Sequence, residues 1–417
     1  MKKLILLSLT MVIVFSSLAA IKTGKSIFYA DSYMLRARGV EAAYWNPANL
    51  MAGKYYDLWV PGVNTGIFVN NNALDLDTYN YVMSQERLNN DDKQLILGKM
   101  DGSLRGSMRG NTSIFGYAFE NMSISSSLTV AGKMSVSKDY LDLLLNGNTE
   151  AEYIFDTATN DLAALSFVDI TFGMGGINIP YLPDKIPPIR FGFSASALAG
   201  VGNAEIEEYS GILRSSIDSG LYLSQDLTIR TAIGGTGFKG MIGFASNPLP
   251  GLEVGLTLDN IFGVIKWNMI TENRNYSFEA DSIYVANINE DFYTQTKSTE
   301  DIASYSTKLP AELRLGALWT YGIYSFSTDY VQGFKNSMVT SNIGRFSLAT
   351  QVAPISWLPF SIGFSTGDSQ NPWSASYGIS LRSETGEIGL AVQSFETLIP
   401  NYKTKGISFG SFLRINY

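Results

Sequence analysis

Residues 373–382, with the sequence WSASYGISLR, decide the fold of this chain. The odd-numbered residues of this stretch are all apolar, whereas the even-numbered ones are serine, glycine or arginine. Because successive side chains of a β-strand point to opposite faces, such a strand has one apolar face and one small or polar face. Similar alternation returns in residues 313–319, 360–364 and 407–410. We therefore predict a succession of half-apolar strands.

The connectors between these strands alternate in length. Tight links at 321–323 and 357–359 take turns with longer polar ones such as 335–344 and 398–405. Outer-membrane barrels have short periplasmic turns, longer outer loops, and aromatic girdles at both rims of an apolar band. The aromatic residues that fall at predicted strand ends are Trp319, Trp357, Trp373 and Tyr417. These features favour a transmembrane barrel over the alternative, an exported soluble all-β protein.

The N-terminus carries the pattern of an export signal. Lys2 and Lys3 precede an apolar run over residues 4–15, and small residues follow up to Ala20. This pattern is typical of a secretory signal peptide, and the run is short for a membrane-spanning helix. No later stretch has 18 consecutive apolar residues, so residence in a membrane would require a barrel. We predict a protein of the bacterial outer membrane.

Composition restricts the chemistry that the chain can perform. The formal net charge is −8, which argues against a nucleic-acid partner. Histidine and cysteine are both absent, so Ser-His-Asp triads, thiol nucleophiles and histidine-ligated zinc are excluded. We predict no catalytic residue, no metal site and no cofactor, and therefore no enzyme. A surface hydrolase that uses carboxylates is the alternative.

The strand count follows from the alternating segments. Fifteen segments qualify: 55–69, 112–119, 122–136, 149–156, 164–178, 189–202, 228–245, 251–262, 309–320, 324–333, 345–355, 359–366, 372–382, 387–396 and 406–417. Single-chain bacterial barrels have even numbers of strands, and about 400 residues suit ~12–16 crossings. We predict an all-β fold, a closed antiparallel barrel of about fourteen strands.

Three parts of the chain are expected. Residues 1–20 form the signal peptide, 21–52 an N-terminal helix or hatch segment, and 53–417 the barrel. Helical insertions are predicted near 91–97 and 138–146, where polar residues able to cap precede short apolar faces. We expect these insertions to pack on the rim as loop helices, with a lid over the lumen as the alternative.

The segment 37–50, ARGVEAAYWNPANL, predicts a short helix that ends at an Asn-Pro turn. Proline disfavours helical conformations in the residue before it, so the chain should redirect at Asn46. Two interpretations stay open: the segment corks the barrel, or it is an ordinary turn with Trp45 at the periplasmic rim. The hatch candidates are Gly39, Trp45, Asn46, Pro47 and Ala48.

The pattern Gly-x-x-Ala-x-x-x-Asn-Pro-Ala-x-Leu over residues 39–50 resembles the hatch of FadL-type long-chain fatty acid transporters and their relatives, which include PorV-like barrels of type IX secretion. Residues 309–316 and 329–334 resemble an uncharacterised family of outer-membrane barrels from Bacteroidetes-like bacteria. The resemblance implies a FadL-like barrel that passes or binds small hydrophobic molecules such as long-chain fatty acids. Asn49 stands where those transporters commonly have glycine.

A second function stays open beside transport: a structural or scaffold barrel that serves secretion or surface attachment. The expected partners are membrane lipid, a hydrophobic small-molecule ligand, and the barrel-assembly machinery, which recognises aromatic C-terminal strands. Ile415 and Tyr417 are the candidate assembly signal.

Charged residues within the strands should face the lumen, because a lipid-facing charge is expensive. Glu312 and Arg314 share one face of a strand, opposite Leu313 and Leu315. By the same parity the inward-facing candidates are Arg190, Glu312, Arg314, Arg345, Arg382 and Arg414. These charges either pair across strands and fill the barrel, or some arginines hold the carboxylate of a hydrophobic acid.

Overall fold

The structure, a computed structural model, describes residues 23–50, 56–148, 152–183, 185–216, 220–283, 293–367 and 372–416. The predicted signal peptide and Tyr417 lie outside the described residues. The described helices are α1 (Gly24–Phe28), α2 (Ala42–Trp45), α3 (Leu76–Ser84), α4 (Asn90–Gly98) and α5 (Lys138–Asn146), with short 3-10 helices at Gly39–Glu41 and Pro47–Asn49. None of the described helices is long and apolar enough to span a membrane.

Strands make up most of the described chain. They are β1 (Asp57–Trp59), β2 (Thr65–Asn71), β3 (Ser103–Phe119), β4 (Met122–Ser137), β5 (Glu152–Asp156), β6 (Asp161–Asn178), β7 (Ile189–Ser216), β8 (Gly220–Leu249), β9 (Leu252–Ile283), β10 (Tyr293–Asp301), β11 (Tyr305–Lys308), β12 (Glu312–Tyr321), β13 (Tyr324–Gly333), β14 (Arg345–Ile355), β15 (Leu358–Thr366), β16 (Trp373–Ser383), β17 (Gly386–Phe395) and β18 (Gly406–Asn416). All their pairings are antiparallel.

These segments form a closed ring of fourteen strands within the described residues. Three of the fourteen strands are each built from consecutive segments. The first consists of β1 and β2, the second of β5 and β6, and the third of β10, β11 and β12. The ring closes where β18 pairs with β1 and β2, with Asp57 opposite Asn416 and Gly66 opposite Gly410. The predicted all-β barrel with short helical insertions is confirmed. Closure leaves no free edge around the ring, as a membrane-spanning sheet requires.

Several predicted strand boundaries were wrong. Segment 149–156 is not a separate crossing, because β5 pairs with the outer part of β7 and prolongs the line of β6. Segment 112–119 is the inner half of the longer β3, and β7 to β9 extend well beyond the predicted 189–202, 228–245 and 251–262. Backbone pairing continues above the membrane, where neither face meets lipid, so the apolar alternation stops before the strand does.

The outer surface of the barrel carries the apolar face of the strands. In β16, Ile379 and Leu381 are 46% and 52% exposed, whereas Ser376 and Ser380 are buried. The same outward orientation holds for large apolar residues of many other strands, among them Ile67, Ile124, Phe172, Leu315, Phe326, Leu348, Ile362, Leu390 and Phe409. Such a continuous apolar band is expected of a surface that contacts lipid.

The three longer helices pack together at the outer end of β3 and β4. Asp75, Asn89 and Ser137 cap their N-termini, each accepting a hydrogen bond from a backbone N–H of the first turn. Ile96 and Leu141 meet in one apolar cluster with Leu104, Leu97, Leu145 and Val82. The helices therefore lie on the rim, in the connections after β2 and β4.

Candidate functional site

Residues 23–50, called the hatch below, lie inside the barrel. Thr23 caps α1 by accepting a hydrogen bond from the backbone N–H of Ser26, and the chain then turns through Ala30 and Asp31, both with positive φ. Helix α1 contacts β15 to β18, whereas Pro47–Asn49 contacts β6 to β8 across the lumen. Ile27, Phe28 and the other apolar side chains of the hatch are almost all buried.

The barrel wall accommodates the hatch through inward-facing glycines. At each of these positions a Cβ atom would come within 3.0 Å of a hatch atom. The positions are Gly116, Gly173, Gly175, Gly192, Gly243, Gly255, Gly316, Gly363, Gly378 and Gly410. Gly378 lies against the ring of Phe28, and Gly192 against the carbonyl of Pro47. Since larger residues at these positions would push the hatch away, the wall is shaped to hold it.

Hydrogen bonds fix the hatch to the wall on several sides. The Met34 and Val40 backbone N–H groups donate to carboxylates of the wall, those of Asp329 at 2.8 Å and Asp57 at 2.9 Å. The Ser361 hydroxyl donates to the Phe28 carbonyl at 2.6 Å. These bonds satisfy backbone groups that would otherwise be buried without partners. The hatch is thus packed and bonded to the wall, and it obstructs the periplasmic half of the lumen.

The predicted hatch residues occupy defined places in this layer. Gly39 has φ +59°, and Asn46 accepts a hydrogen bond from the Ala48 N–H at 3.1 Å and donates to the Phe244 carbonyl at 3.2 Å. Trp45 is 3% exposed and lies inside the lumen rather than at the rim. The N-terminal segment therefore lies within the barrel, against its inner wall.

A cluster of buried charges lies beside the hatch on the inner wall. The guanidinium of Arg314 is 2.7 Å from Glu312 and 3.6 Å from Asp259. Arg345 also approaches Glu312, at 3.5 Å, and Lys239 lies 3.8 Å from Asp259. Each charge has at least one opposite partner, as buried charges require. Arg314 therefore joins two acidic side chains of the inner wall.

The other predicted arginines form separate pairs in the periplasmic half. Arg190 and Arg38 both contact Glu253. Arg382 and Lys25 share Glu387, at 3.1 Å and 3.3 Å, and Arg414 lies 3.4 Å from Asp57. The six charges predicted to face the lumen are therefore distributed over several sites. Ile415, of the predicted assembly signal, pairs with Leu58 where the ring closes.

Arg109 of β3 is the functional candidate that the sequence did not reveal. Its side chain is 1% exposed, and Nη2 donates to the carbonyl of Met338. Within the described residues its Nε and Nη1 have no hydrogen-bond partner, and it makes no ion pair. The charged groups that act on it through space are Arg345, Glu312 and Asp31. An arginine keeps its charge in proteins, so an unpaired buried guanidinium is costly unless an anion joins it.

The carbonyl that Arg109 contacts belongs to the connection 334–344 between β13 and β14, called the inserted loop below. Thr340 and Ser341 in this loop are buried, and Ser337 and Thr340 bond to each other within it at 2.9 Å. The inserted loop also joins an apolar cluster on the inner wall, formed by Leu165, Phe167, Leu198, Ile265, Trp267, Leu309, Met338 and Val339. Arg109 therefore lies next to an apolar surface inside the lumen.

Comparison with known proteins identifies the architecture. No family model and no curated protein matches the sequence. Among solved structures, the TodX deltaS2S3 mutant monoaromatic hydrocarbon channel aligns over 91% of this chain and 94% of its own, with 11% identity and a TM-score of 0.51. The chain therefore shares its overall fold, a closed antiparallel barrel, with that structure. The closed ring and the apolar outer band together make it a barrel suited to span a membrane, as the sequence analysis expects.

Two further solved structures align over nearly the whole chain. The Ralstonia pickettii toluene transporter TbuX aligns over 95% of this chain and 98% of its own, with 11% identity and a TM-score of 0.49. A Pseudomonas aeruginosa FadL homologue aligns over 95% and 99%, with 12% identity and a TM-score of 0.48. The identities show similarity of fold alone, so the function has to be argued from the chain's own residues.

Proposed function

We propose that this barrel carries small hydrophobic molecules across the outer membrane, and that its substrates are hydrophobic acids such as long-chain fatty acids. The observation that carries the proposal is Arg109, a buried guanidinium with two unpartnered nitrogens. Guanidinium groups bind carboxylates through paired, charge-assisted hydrogen bonds, and Arg345 is a second guanidinium close to the same point. A carboxylate here would supply the missing partner.

The surroundings of Arg109 support an acid with an apolar tail. The luminal apolar cluster reaches Arg109 through Met338 and Val339, so a bound acid would place its tail against Phe167, Ile265 and their neighbours. Burying hydrocarbon there would be worth ~0.8 kcal/mol for each CH₂ group removed from water. The inserted loop above and the hatch below would have to move for passage.

Uptake by cells tests this proposal. A bacterial host without its own fatty-acid transporter would express the wild type, Arg109→Met, or Arg382→Met, and accumulation of a labelled long-chain fatty acid would be measured. We expect uptake with the wild type and with Arg382→Met, a matched change at an arginine of the periplasmic mouth. Uptake should fall to the background level with Arg109→Met at equal amounts of folded barrel. Equal uptake by all three variants would contradict the role of Arg109.

A scaffold barrel is the second candidate function, and the close packing of the hatch favours it. A hatch bonded to opposite sides of the wall is suited to a barrel that stays shut. If the wild type gives no more uptake than empty vector while its barrel is folded in the outer membrane, the scaffold function is supported instead. For assembly, the proposed partner is the barrel-assembly machinery, which would bind the final strand through Ile415 and Tyr417.

A further inference from the structure

A groove with a volume of about 490 Å³ opens on the outside of the barrel at its outer rim. Its floor contains Val69 of β2 and Ile407 of β18, which lie opposite each other in register. Its walls are α3, with Leu76 and Tyr79, and the β17–β18 connection, with Tyr402. The groove is therefore outside the lumen and separate from Arg109.

The floor of the groove continues the surface that contacts lipid. Immediately toward the membrane, Ile67 and Phe409 form the next outward-facing pair and are 49% and 47% exposed. A hydrocarbon chain that lies along these two side chains in the outer leaflet can extend over Val69 and beneath α3. A lipid of the outer leaflet can therefore enter the groove directly from the bilayer.

The β17–β18 connection displays apolar side chains from an ordered loop. Leu398, Ile399 and Tyr402 are each 67% exposed. The Thr397 and Thr404 hydroxyls bond to each other at 2.8 Å, and the Tyr402 carbonyl accepts a hydrogen bond from α3. An exposed apolar patch held in a fixed shape marks an interaction site.

The β17–β18 connection also carries two lysine side chains. Lys405 lines the groove, with Nζ 3.0 Å from Glu396, and the exposed Lys403 makes no ion pair within the described part of the chain. Lysine is a common ligand of phosphate as a point charge, and basic side chains next to a bilayer attract anionic headgroups. Lys405 therefore lies at the groove, and the exposed Lys403 lies two residues before it in the same connection.

We propose that this groove binds one acyl chain of an outer-leaflet lipid whose headgroup carries phosphate. The chain would lie on Val69 and Ile407, and the phosphate near Lys403 and Lys405. This site would fix the barrel's rim to the outer leaflet, and it does not depend on transport through the lumen.

Native mass spectrometry of the detergent-purified barrel, titrated with bisphosphorylated lipid A, tests the site. Val69→Trp would fill the groove, and Lys403→Glu would repel the phosphate. Ile362→Trp is the matched control, since Ile362 is 53% exposed on the lipid-facing side of β15 and outside the groove. We expect the wild type and the control to retain one lipid A. Each groove variant should bind about tenfold more weakly, a change of ~1.4 kcal/mol.

Two results would overturn the proposal. One is equal retention of lipid A by the wild type, Val69→Trp and Lys403→Glu. The other is equal retention of dephosphorylated lipid A by the wild type, because it removes the phosphate from recognition. If Val69→Trp does not fold, Leu398→Asn with Ile399→Asn on the exposed loop replaces it with the same expectation. Arg109→Met should retain lipid A, so failure of the luminal proposal and failure of this one are distinguishable.

Discussion

The guanidinium of Arg314 lies over the ring of Trp45, 4.7 Å from the ring centroid. The same guanidinium is 2.7 Å from Glu312 on its own strand. One arginine therefore joins the hatch to the buried charges of the wall, by a cation–π contact on one side and an ion pair on the other. The contact couples the position of the hatch to the charge balance of the lumen.

Replacing Arg314 should destabilise the whole barrel. Arg314→Met leaves Glu312 and Asp259 with less positive charge in a buried place, and breaking a buried pair in this way costs ~3–5 kcal/mol. Arg382→Met should cost less than ~1 kcal/mol, because that arginine is 41% exposed. Heat-modifiable migration on gels measures both variants. Equal melting temperatures of Arg314→Met and Arg382→Met would show that the Arg314 cluster contributes little to the stability of the barrel.

A larger side chain at position 378 should displace the hatch from the lumen, whereas the ring of strands should stay intact. A Cβ atom there would lie 2.5 Å from Cε2 of Phe28, so Gly378→Leu cannot coexist with the hatch in its place. Gly110→Leu is the control, since a Cβ at that position meets no atom within 4 Å. We expect the first variant alone to conduct ions in planar bilayers. A Gly378→Leu barrel that does not conduct would contradict the expectation that displacing the hatch alone opens a path for ions.

Packing of the hatch should depend on pH through Glu41. Burial raises the pKa of its carboxyl above the ordinary value, although Lys25, Tyr33 and Arg414 act in the opposite direction. The protonated form is therefore favoured in the folded hatch. Its stabilising contribution is complete below the unfolded pKa of ~4.3 and is lost as the pH rises through the higher folded value.

Protease cleavage of the hatch, measured between acid and neutral pH, tests this expectation. The wild type should become more susceptible as the pH rises, whereas Glu41→Gln should keep the same low susceptibility throughout, because its amide does not ionise. Identical pH profiles for the wild type and Glu41→Gln would show that ionisation of Glu41 does not control the packing of the hatch.

The sequence predicted the barrel because lipid imposes a strict alternation on any strand that it touches. Ile379 and Ser380 illustrate this: one is 46% exposed on the outside and the other is buried. Where lipid ends, this constraint on the side chains ends as well. The outer parts of β7 and β8 were missed for that reason. The count of fourteen depended on the rule that strand numbers are even.

The luminal site was less accessible to sequence reasoning. Arg109 stands among Gly106, Ser107, Gly110 and Asn111, small or polar residues that break the apolar pattern, so the predicted strand began only at residue 112. Extending β3 back along the parity of Gly116 and Ala118 would have placed Arg109 on the outer face, because a β-bulge between Ser113 and Phe115 shifts the register by one residue. The partner of Arg109 is a backbone carbonyl far along the chain, and such a contact leaves no local pattern.

The most direct test of carboxylate recognition by Arg109 is the binding selectivity of the purified barrel. Equilibrium affinity for a long-chain fatty acid and for the alcohol of equal chain length would be measured with the wild type and Arg109→Met. We predict that Arg109→Met weakens binding of the acid by about tenfold to a hundredfold, equivalent to ~1.4–2.7 kcal/mol, and leaves binding of the alcohol unchanged. Equal affinities of the two proteins for the acid, or equal losses for acid and alcohol, would contradict it.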